Sequence, residues 1–235
     1  MANTIREQII LAVLARVAEI QTANGYNTDC GTEVLRVKKL VDPDDLPLVI
    51  VWPGPEEKTK QYGKVVYSMP VKIECIKAFG SINPSVVSES MLGDVIENIL
   101  GIEYTLPFTT GSTEIEVGDT VVGATSTATG YVCAVDVSGG TWGGGDAAGD
   151  LTLRRLTGTF QSENLKVSGG VVAATIGSIT ATSAIENSTN SLADSIEYVS
   201  GGTEDYPEDK TISVGVAGNF NIKYSTNIGD PYNNS

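Results

Sequence analysis

Apolar residues close to the N-terminus recur at the spacing of an amphipathic helix. Thr4 and Glu7 have the spacing of a capping box, in which Thr4 bonds the amide of residue 7 and Glu7 reaches back. Asn24 and Gly25 follow, and glycine readily takes the left-handed conformation that ends a helix. The pattern predicts about five helical turns. The apolar face would consist of Ile5, Ile9, Ile10, Val13, Leu14, Val17 and Ile20.

Three apolar segments after this helix predict strands. Residues 32–40 can form a short strand, and Leu48–Trp52 is apolar on both faces, as in a strand at the centre of a sheet. From Val65 to Cys75 apolar and polar residues alternate, which is the period of a strand with one buried face. Pro70 has no amide donor, so we expect this strand to lie at a sheet edge or to carry a bulge.

The pattern continues with a second helix and a C-terminal pair of strands. Asn83 is a suitable N-cap and Pro84 a suitable first helical residue. Near the C-terminus, residues 196–199 and 212–224 have the apolar parity of strands. The tail 225–235 shows no apolar pattern, and we expect it to be extended or mobile.

The region 109–190 differs from both flanks, because it consists largely of Gly, Ser, Thr, Ala and Val. Two β-type units that begin at Ile115 and Phe160 match loosely, which predicts a small β module built by duplication. The matched pairs are Ile115/Phe160, Asp119/Asn164, Val122/Val167 and Ala128/Ala173. We therefore predict an α+β fold in which residues 1–108 and 191–235 form a discontinuous core domain, with two helices packed on a mainly antiparallel sheet. Residues 109–190 would form an inserted small all-β domain.

Composition limits the chemistry that this chain can perform. The 235 residues carry a formal net charge of −14, which argues against specific binding to nucleic acid. Histidine is absent, which removes Ser-His-Asp and Cys-His catalysis and most zinc sites. No apolar run has the length of a membrane span. We expect a protein that is not an enzyme, with no catalytic residues, no cofactor, no metal and no membrane partner.

Short stretches on both sides of the central region carry a family resemblance. They are Thr22–Asp29, Val34–Val37, Leu46–Val51, Gly54–Glu56, Gly201–Pro207 and Phe220–Tyr224. Together with the first helix, they resemble the tail terminator proteins of tailed bacteriophages, over roughly residues 4–105 and 194–232. The sequence GATSTATG at 123–130 resembles small β modules that recur in phage virion proteins, usually as surface decorations.

The resemblance implies a structural role in the virion. Family members form a hexameric ring at the head-proximal end of the tail tube, assembled in the host cytoplasm. The ring ends tube polymerisation and presents the surface for head-tail joining. The partners so implied are other copies of the chain, the tail tube protein and a head-completion or neck protein, while DNA passes through the lumen without specific binding.

A ring needs surfaces that pair between copies, and unpaired strand edges serve this purpose. We expect the Pro70 strand and the C-terminal strand to be such edges, and substitutions of Lys72 or Glu74 to cost the monomer little. Trp142 lies in a glycine-rich hairpin, where it either anchors an interface or packs back on the module. The predicted interface residues are Glu56, Glu57, Lys58, Lys60, Lys72, Glu74, Trp142 and Tyr224.

Two alternatives remain open at this stage. The chain can be another neck connector, a head-closure protein or a tail-tube subunit, although tube proteins are β-rich and usually lack the long N-terminal helix. It can also bind carbohydrate or a cell surface through the inserted module, although Trp142 and Tyr131 offer little stacking surface for a sugar.

Overall fold

A computed structural model describes residues 3–37, 42–78, 82–167, 170–177, 179–182, 192–204 and 213–234. The fold is mostly β, because 52% of the described residues lie in strands and 21% are helical. Two α-helices accompany two sheets of seven strands each in this part of the chain. The predicted fold class, α+β with a small inserted domain, is therefore wrong. The second sheet has as many strands as the first, because it also recruits residues that the sequence pattern assigned to the flanks.

The helices are α1 (Ile5–Val17) and α2 (Pro84–Leu100). The strands are β1 (Glu33–Arg36), β2 (Leu48–Pro53), β3 (Glu57–Gln61), β4 (Lys64–Ala78), β5 (Glu103–Gly111), β6 (Thr120–Gly123), β7 (Thr129–Gly139), β8 (Ala147–Thr157), β9 (Glu163–Lys166), β10 (Val172–Ile176), β11 (Thr180–Thr182), β12 (Ser195–Glu204), β13 (Ser213–Asn227) and β14 (Asp230–Asn234).

The chain divides into two compact units. Unit 1 comprises Met1–Thr22, Tyr26–Leu100 and Ala184–Ser235, and unit 2 comprises Ala23–Gly25 and Gly101–Ser183. The predicted boundary between residues 108 and 109 falls inside β5, all of whose sheet partners belong to unit 2. The predicted boundary at 190/191 lies outside the described residues.

Unit 1 is built on a sheet with the strand order β1-β2-β4-β13-β12. β3 extends the sheet beside β4, and β14 extends it beside β13. Only the β1–β2 pairing is parallel among the described strands of this sheet. The apolar faces of both helices and one face of the sheet form a common core. A smaller cluster of Leu48, Ile50 and Ile76 lies on the opposite face, so β2 is buried on both sides, as predicted.

The strand that contains Pro70 is central, which corrects the prediction of an edge. β4 pairs with β13 along its whole length on one side, and with β2 and then β3 on the other. The Pro70 carbonyl accepts a hydrogen bond from Gly54 N at 2.7 Å. The N–H and C=O of a paired strand residue point to the same side. The donor that Pro70 lacks would therefore point towards residues 54–56, where the chain passes from β2 to β3 and the ladder is interrupted.

The helix ends follow local sequence signals only in part. Thr4 Oγ1 caps α1 by accepting a hydrogen bond from Glu7 N, and Asn83 Oδ1 accepts one from the amide of residue 85, as predicted. The Glu7 carboxylate, however, accepts two hydrogen bonds from the Arg36 guanidinium, at 2.6 and 2.9 Å. α1 ends at Val17, earlier than predicted.

The C-terminal tail belongs to the sheet over most of its length. β13 continues to Asn227, and after a turn with Gly229 at φ 78° the chain returns as β14. The prediction of an extended tail is thus confirmed, and the tail pairs with β13.

Unit 2 is a closed barrel. Its strand order is β10-β9-β6-β7-β8-β5-β11, and β10 also pairs with β5, which closes the sheet on itself. Among the described strands, the six of the closed ring have partners on both sides, whereas β11 pairs only with β5. The interior is filled by a second apolar core.

The duplication predicted from sequence corresponds to two hairpins, β6–β7 and β9–β10. β6 and β9 are the first strands of the two hairpins, and they lie side by side and antiparallel. Their second strands, β7 and β10, lie on the outer sides, so the arrangement β10-β9-β6-β7 is symmetric about the β6–β9 pair. Two of the matched pairs, Ile115/Phe160 and Ala128/Ala173, are buried in the barrel core. The repeat therefore reflects equivalent core positions in two copies of one hairpin.

One buried carboxylate breaks the symmetry of this repeat. Glu163, at the start of β9, is 8% exposed and accepts hydrogen bonds from the amides of Thr125 and Ser126 in the β6–β7 loop. Burial by itself raises its pKa, but the side chain and amide of Ser126 and the amides of Thr125 and Gln161 lower the pKa to about 2. The ionised carboxylate thus holds the GATSTATG loop against β9.

Replacing Glu163 by glutamine should destabilise unit 2 in a pH-dependent way. Because the folded-state pKa lies below the usual 4.5, the stabilisation is complete above that value and disappears as the pH falls through about 2. We expect Glu163→Gln to lower the free energy of unfolding by about 2–3 kcal/mol at pH 7. Urea unfolding followed by the fluorescence of Trp142, the tryptophan of unit 2, measures this difference.

The matched control is Glu114→Gln, since Glu114 is an exposed residue of the same unit. The control should unfold like the wild type at every pH. If Glu163→Gln lowers the free energy of unfolding by the same amount at pH 7 and at pH 2.5, the role assigned to the charge of Glu163 is contradicted.

The unit boundaries predict which deletion leaves a folded protein. Replacing residues 102–183 by a short Gly/Ser linker should give a chain that melts cooperatively, because loop length alone changes closure entropy slowly. Replacing residues 110–190 instead retains most of β5 and exposes Leu106 and Phe108, which are buried in unit 2. We expect that variant to aggregate. Calorimetry and light scattering distinguish the two, and a reversed result would show that β5 contributes to the core of unit 1.

Candidate assembly surface

Four of the predicted interface residues of unit 1, Glu56, Glu57, Lys58 and Lys60, lie in or next to the hairpin formed by β3 and the start of β4. Gly54 to Glu56 lead from buried β2 into β3, all of whose side chains are exposed. The hairpin turns at Tyr62 and Gly63, and Gly63 has a φ of 80°, which favours glycine. The Tyr62 side chain is fully exposed, at 107%. An aromatic residue thus stands at the tip of a charged hairpin.

The hairpin is locally basic in a strongly acidic chain. Three lysines, Lys58, Lys60 and Lys64, against the single Glu57 give residues 57–64 a charge of +2 (3 − 1), whereas the whole chain has −14. None of these lysines forms an ion pair with another described residue. Their charges are therefore available to a partner.

The predicted interface residues do not share one face of the sheet. Lys58 and Lys60 pair directly with Tyr67 and Val65, whose side chains lie on the helix-covered face. Lys72 alternates with the core residues of β4 and lies on the opposite face. The sheet therefore separates Lys58 and Lys60 from Lys72, because β3 adds its lysines to the helix-covered side.

Lys72 and Glu74 form an ion-pair network on that opposite face. Lys72 Nζ lies 2.5 Å from Glu74 Oε1 and 2.7 Å from Glu204 Oε1, and Trp52 Nε1 donates to Glu74 Oε2 at 2.6 Å. Burial lowers the pKa of Lys72, but its hydrogen bonds to Glu204 and Glu74 outweigh this and raise the pKa overall. Glu74 is buried, so the network contributes to the stability of unit 1 itself.

Glu56 fixes the base of the hairpin. Its carboxylate accepts a hydrogen bond from Tyr224 Oη at 2.5 Å and lies 3.2 Å from Arg6 Nε. Arg6 also donates to the Gly54 carbonyl at 2.9 Å, and Tyr224 stacks on Tyr67. Burial, followed by the bond to Glu56, raises the pKa of Tyr224. Tyr224 is only 2% exposed, so it positions the hairpin from within and does not reach a partner.

Trp142 packs back on unit 2. Its ring stacks on Phe108 with centroids 5.0 Å apart and an angle of 5° between the planes. Thr141 caps the short turn that carries it by accepting from Gly144 N. One face of the indole is therefore covered by its own unit, which weakens the idea of Trp142 as a sugar platform.

β12 lies at the end of the unit 1 sheet, next to β13, and its other side is a long unpaired edge. It pairs with β13 on one side, and no strand of the described chain pairs with its other side. The register shifts around Val199, which is 64% exposed. A recess of about 290 Å³ lies beside this edge, lined by Ser200, Gly201, Gly202, Thr203, Glu204, Ala217 and Asn219.

Comparisons with known proteins do not assign this chain to a family. No protein-family model matches the chain, and no curated protein matches it. Within the residues that the structure describes, no group of three or more Cys, Asp or Glu side chains is arranged to hold a metal ion. No helix in the same part of the chain is long and apolar enough to cross a membrane.

Sequence reasoning missed the residues that connect the surface to the core. Trp52 and Glu204 complete the Lys72 network, and Arg6 completes the Glu56 contacts. These partners are distant in sequence, so no local spacing of residues indicates the contacts. Tyr62 did carry a signal, because Tyr-Gly between two lysine-containing segments is typical of an exposed turn.

The structure predicts different outcomes for the lysines on the two faces. Lys72→Glu places a third carboxylate beside Glu74 and Glu204, and should lower the free energy of unfolding by about 2 kcal/mol. The double change Lys58→Glu and Lys60→Glu should leave it within about 0.5 kcal/mol of the wild type. Urea unfolding followed through Trp52 measures both. Equal stability of the two variants would mean that the Lys72 network contributes nothing to the fold.

Proposed function

We propose that this chain is a structural virion protein that forms a closed ring of six copies at the head-proximal end of a phage tail tube. The ring ends tube polymerisation and offers the surface to which the head-completion proteins bind. The stretches that resemble tail terminators support this proposal, and their described residues fall in unit 1, apart from residues 23–25.

The observation that carries the proposal is that the described unit 1 sheet ends in strands with one unpaired side, β1 and β3 beyond β4 and β12 and β14 beyond β13. β3 and β12 expose backbone donors and acceptors on opposite sides of the β4–β13 pair. Unpaired edges invite strand or hairpin contacts from another chain. Because the β3 and β12 edges differ in sequence, contact between them is head-to-tail, and a head-to-tail contact gives a closed ring when its rotation closes and an open filament when it does not.

The net charge suits a conduit for DNA. A ring of chains that each carry −14 repels phosphates over most of its surface, which lets DNA pass without being retained. The unit 2 barrels, in which six of the seven described strands close into a ring, serve as decorations of the tail-end ring.

The proposal is tested on assembled tails as well as on the purified chain, since a ring can require the tube end to form. Native mass spectrometry should show a species of six times 24.6 kDa, and antibody labelling should mark one position per tail, next to the head. Tails made without the protein should be overlong or headless in micrographs.

Labelling along the whole tube would show that the protein is a tube subunit. Labelling on the head side of the joint alone would show that it is a head-closure protein. Tails of normal length that join heads in the absence of the protein would contradict it outright.

A further inference from the structure

We infer that the Tyr62 hairpin tip of one copy docks into the glycine-lined recess beside β12 of a second copy. This inference rests on the proposed ring and names the contact that would build it. The tip comprises Tyr62 and Gly63, and the recess is the one lined by Ser200 to Glu204, Ala217 and Asn219.

The recess has the shape and chemistry to accept an aromatic ring. Its floor consists of Gly202 and Ala217, which pair across β12 and β13. A Cβ atom added to Gly202 would meet no atom within 4 Å, so the space above this glycine is open. At one end Asn219 Nδ2 donates to Ser200 Oγ at 3.3 Å, and at the other end stands Glu204. The small residues at the floor leave space for the aromatic ring of Tyr62, and the polar residues at the two ends can form hydrogen bonds with its hydroxyl.

The charges of the two surfaces are complementary. The two carboxylates of Glu74 and Glu204 share the one ammonium group of Lys72, which leaves one negative charge at the end of the recess. The hairpin carries +2, and its lysines form no ion pair with another described residue. Docking would bring Lys58 and Lys60 close to that negative end.

The two surfaces cannot meet within one chain. Glu74 lies level with Ala217 and Gly202 across the sheet, whereas Lys64 lies next to the hairpin tip. The ten residue steps of β4 from Lys64 to Glu74 span about 33 Å. The contact is therefore between copies, and because tip and recess are different surfaces, each copy offers one and accepts the other.

The test uses the full chain and two variants that leave the fold intact. Tyr62→Ala removes a fully exposed side chain, and Gly202→Leu fills the recess at a glycine whose φ is not left-handed. Each should weaken self-association about tenfold or more in sedimentation velocity, as truncation of an aromatic anchor does. Tyr232→Ala and Gly139→Leu, at an exposed tyrosine and an open strand glycine, are the matched controls and should associate like the wild type.

Cross-linking makes the test independent of the affinity. Mixed under mild oxidation, Tyr62→Cys and Gly202→Cys chains should form a covalent dimer that neither forms alone. The absence of this dimer overturns the contact. If rings still appear on tails while Tyr62→Ala and Gly202→Leu behave as wild type, the contact is wrong and the proposed function stands. If the dimer forms but no ring is found at the tail end, the function is wrong.

Discussion

The ladder between β4 and β13 is the interaction on which unit 1 depends. It pairs fifteen residues of each strand, from Ser213 opposite Ala78 to Asn227 opposite Lys64. The helices pack on the face that these strands present, and every other strand of the sheet except β1 pairs directly with one of the two. The hairpin that carries Tyr62 and the edge that carries Gly202 are both held by this ladder, although they lie far apart on it.

Local patterns predicted the elements of this ladder but not its neighbours. The alternation through Met69, Val71 and Ile73 identified β4, because one buried face imposes a period of two. Pro70 was assigned to an edge, since the missing donor is visible in sequence whereas the break between β2 and β3 that accommodates it is not. The fold class failed for a related reason. β5 has apolar residues at Leu106 and Phe108, but only its partners in the barrel reveal to which sheet it belongs.

The candidate surface was predictable in composition and unpredictable in arrangement. The stretch 56–60, which supplies four of the predicted interface residues, is exposed and forms the root of the hairpin. Lys72 forms an ion pair with Glu204, and Tyr224 donates a hydrogen bond to Glu56. Each contact joins residues more than a hundred positions apart, and it determines that the side chain stabilises unit 1. Side-chain parity within a strand is a local property, but the partner of a buried or half-buried charge is set by topology. Sequence alone therefore grouped Lys58 with Lys72, which the sheet separates.

The order of the chain has a consequence for how the protein is made. β4 is synthesised long before β13, and Gly101–Ser183, which is all of unit 2 except Ala23–Gly25, lies between them. A nascent chain that stops before Ser213 lacks the strand that completes the centre of the unit 1 sheet, even if its barrel has already folded. Prematurely terminated chains therefore cannot present a finished hairpin and a finished recess together. A truncated chain therefore lacks the strand that holds both surfaces of the proposed contact in place.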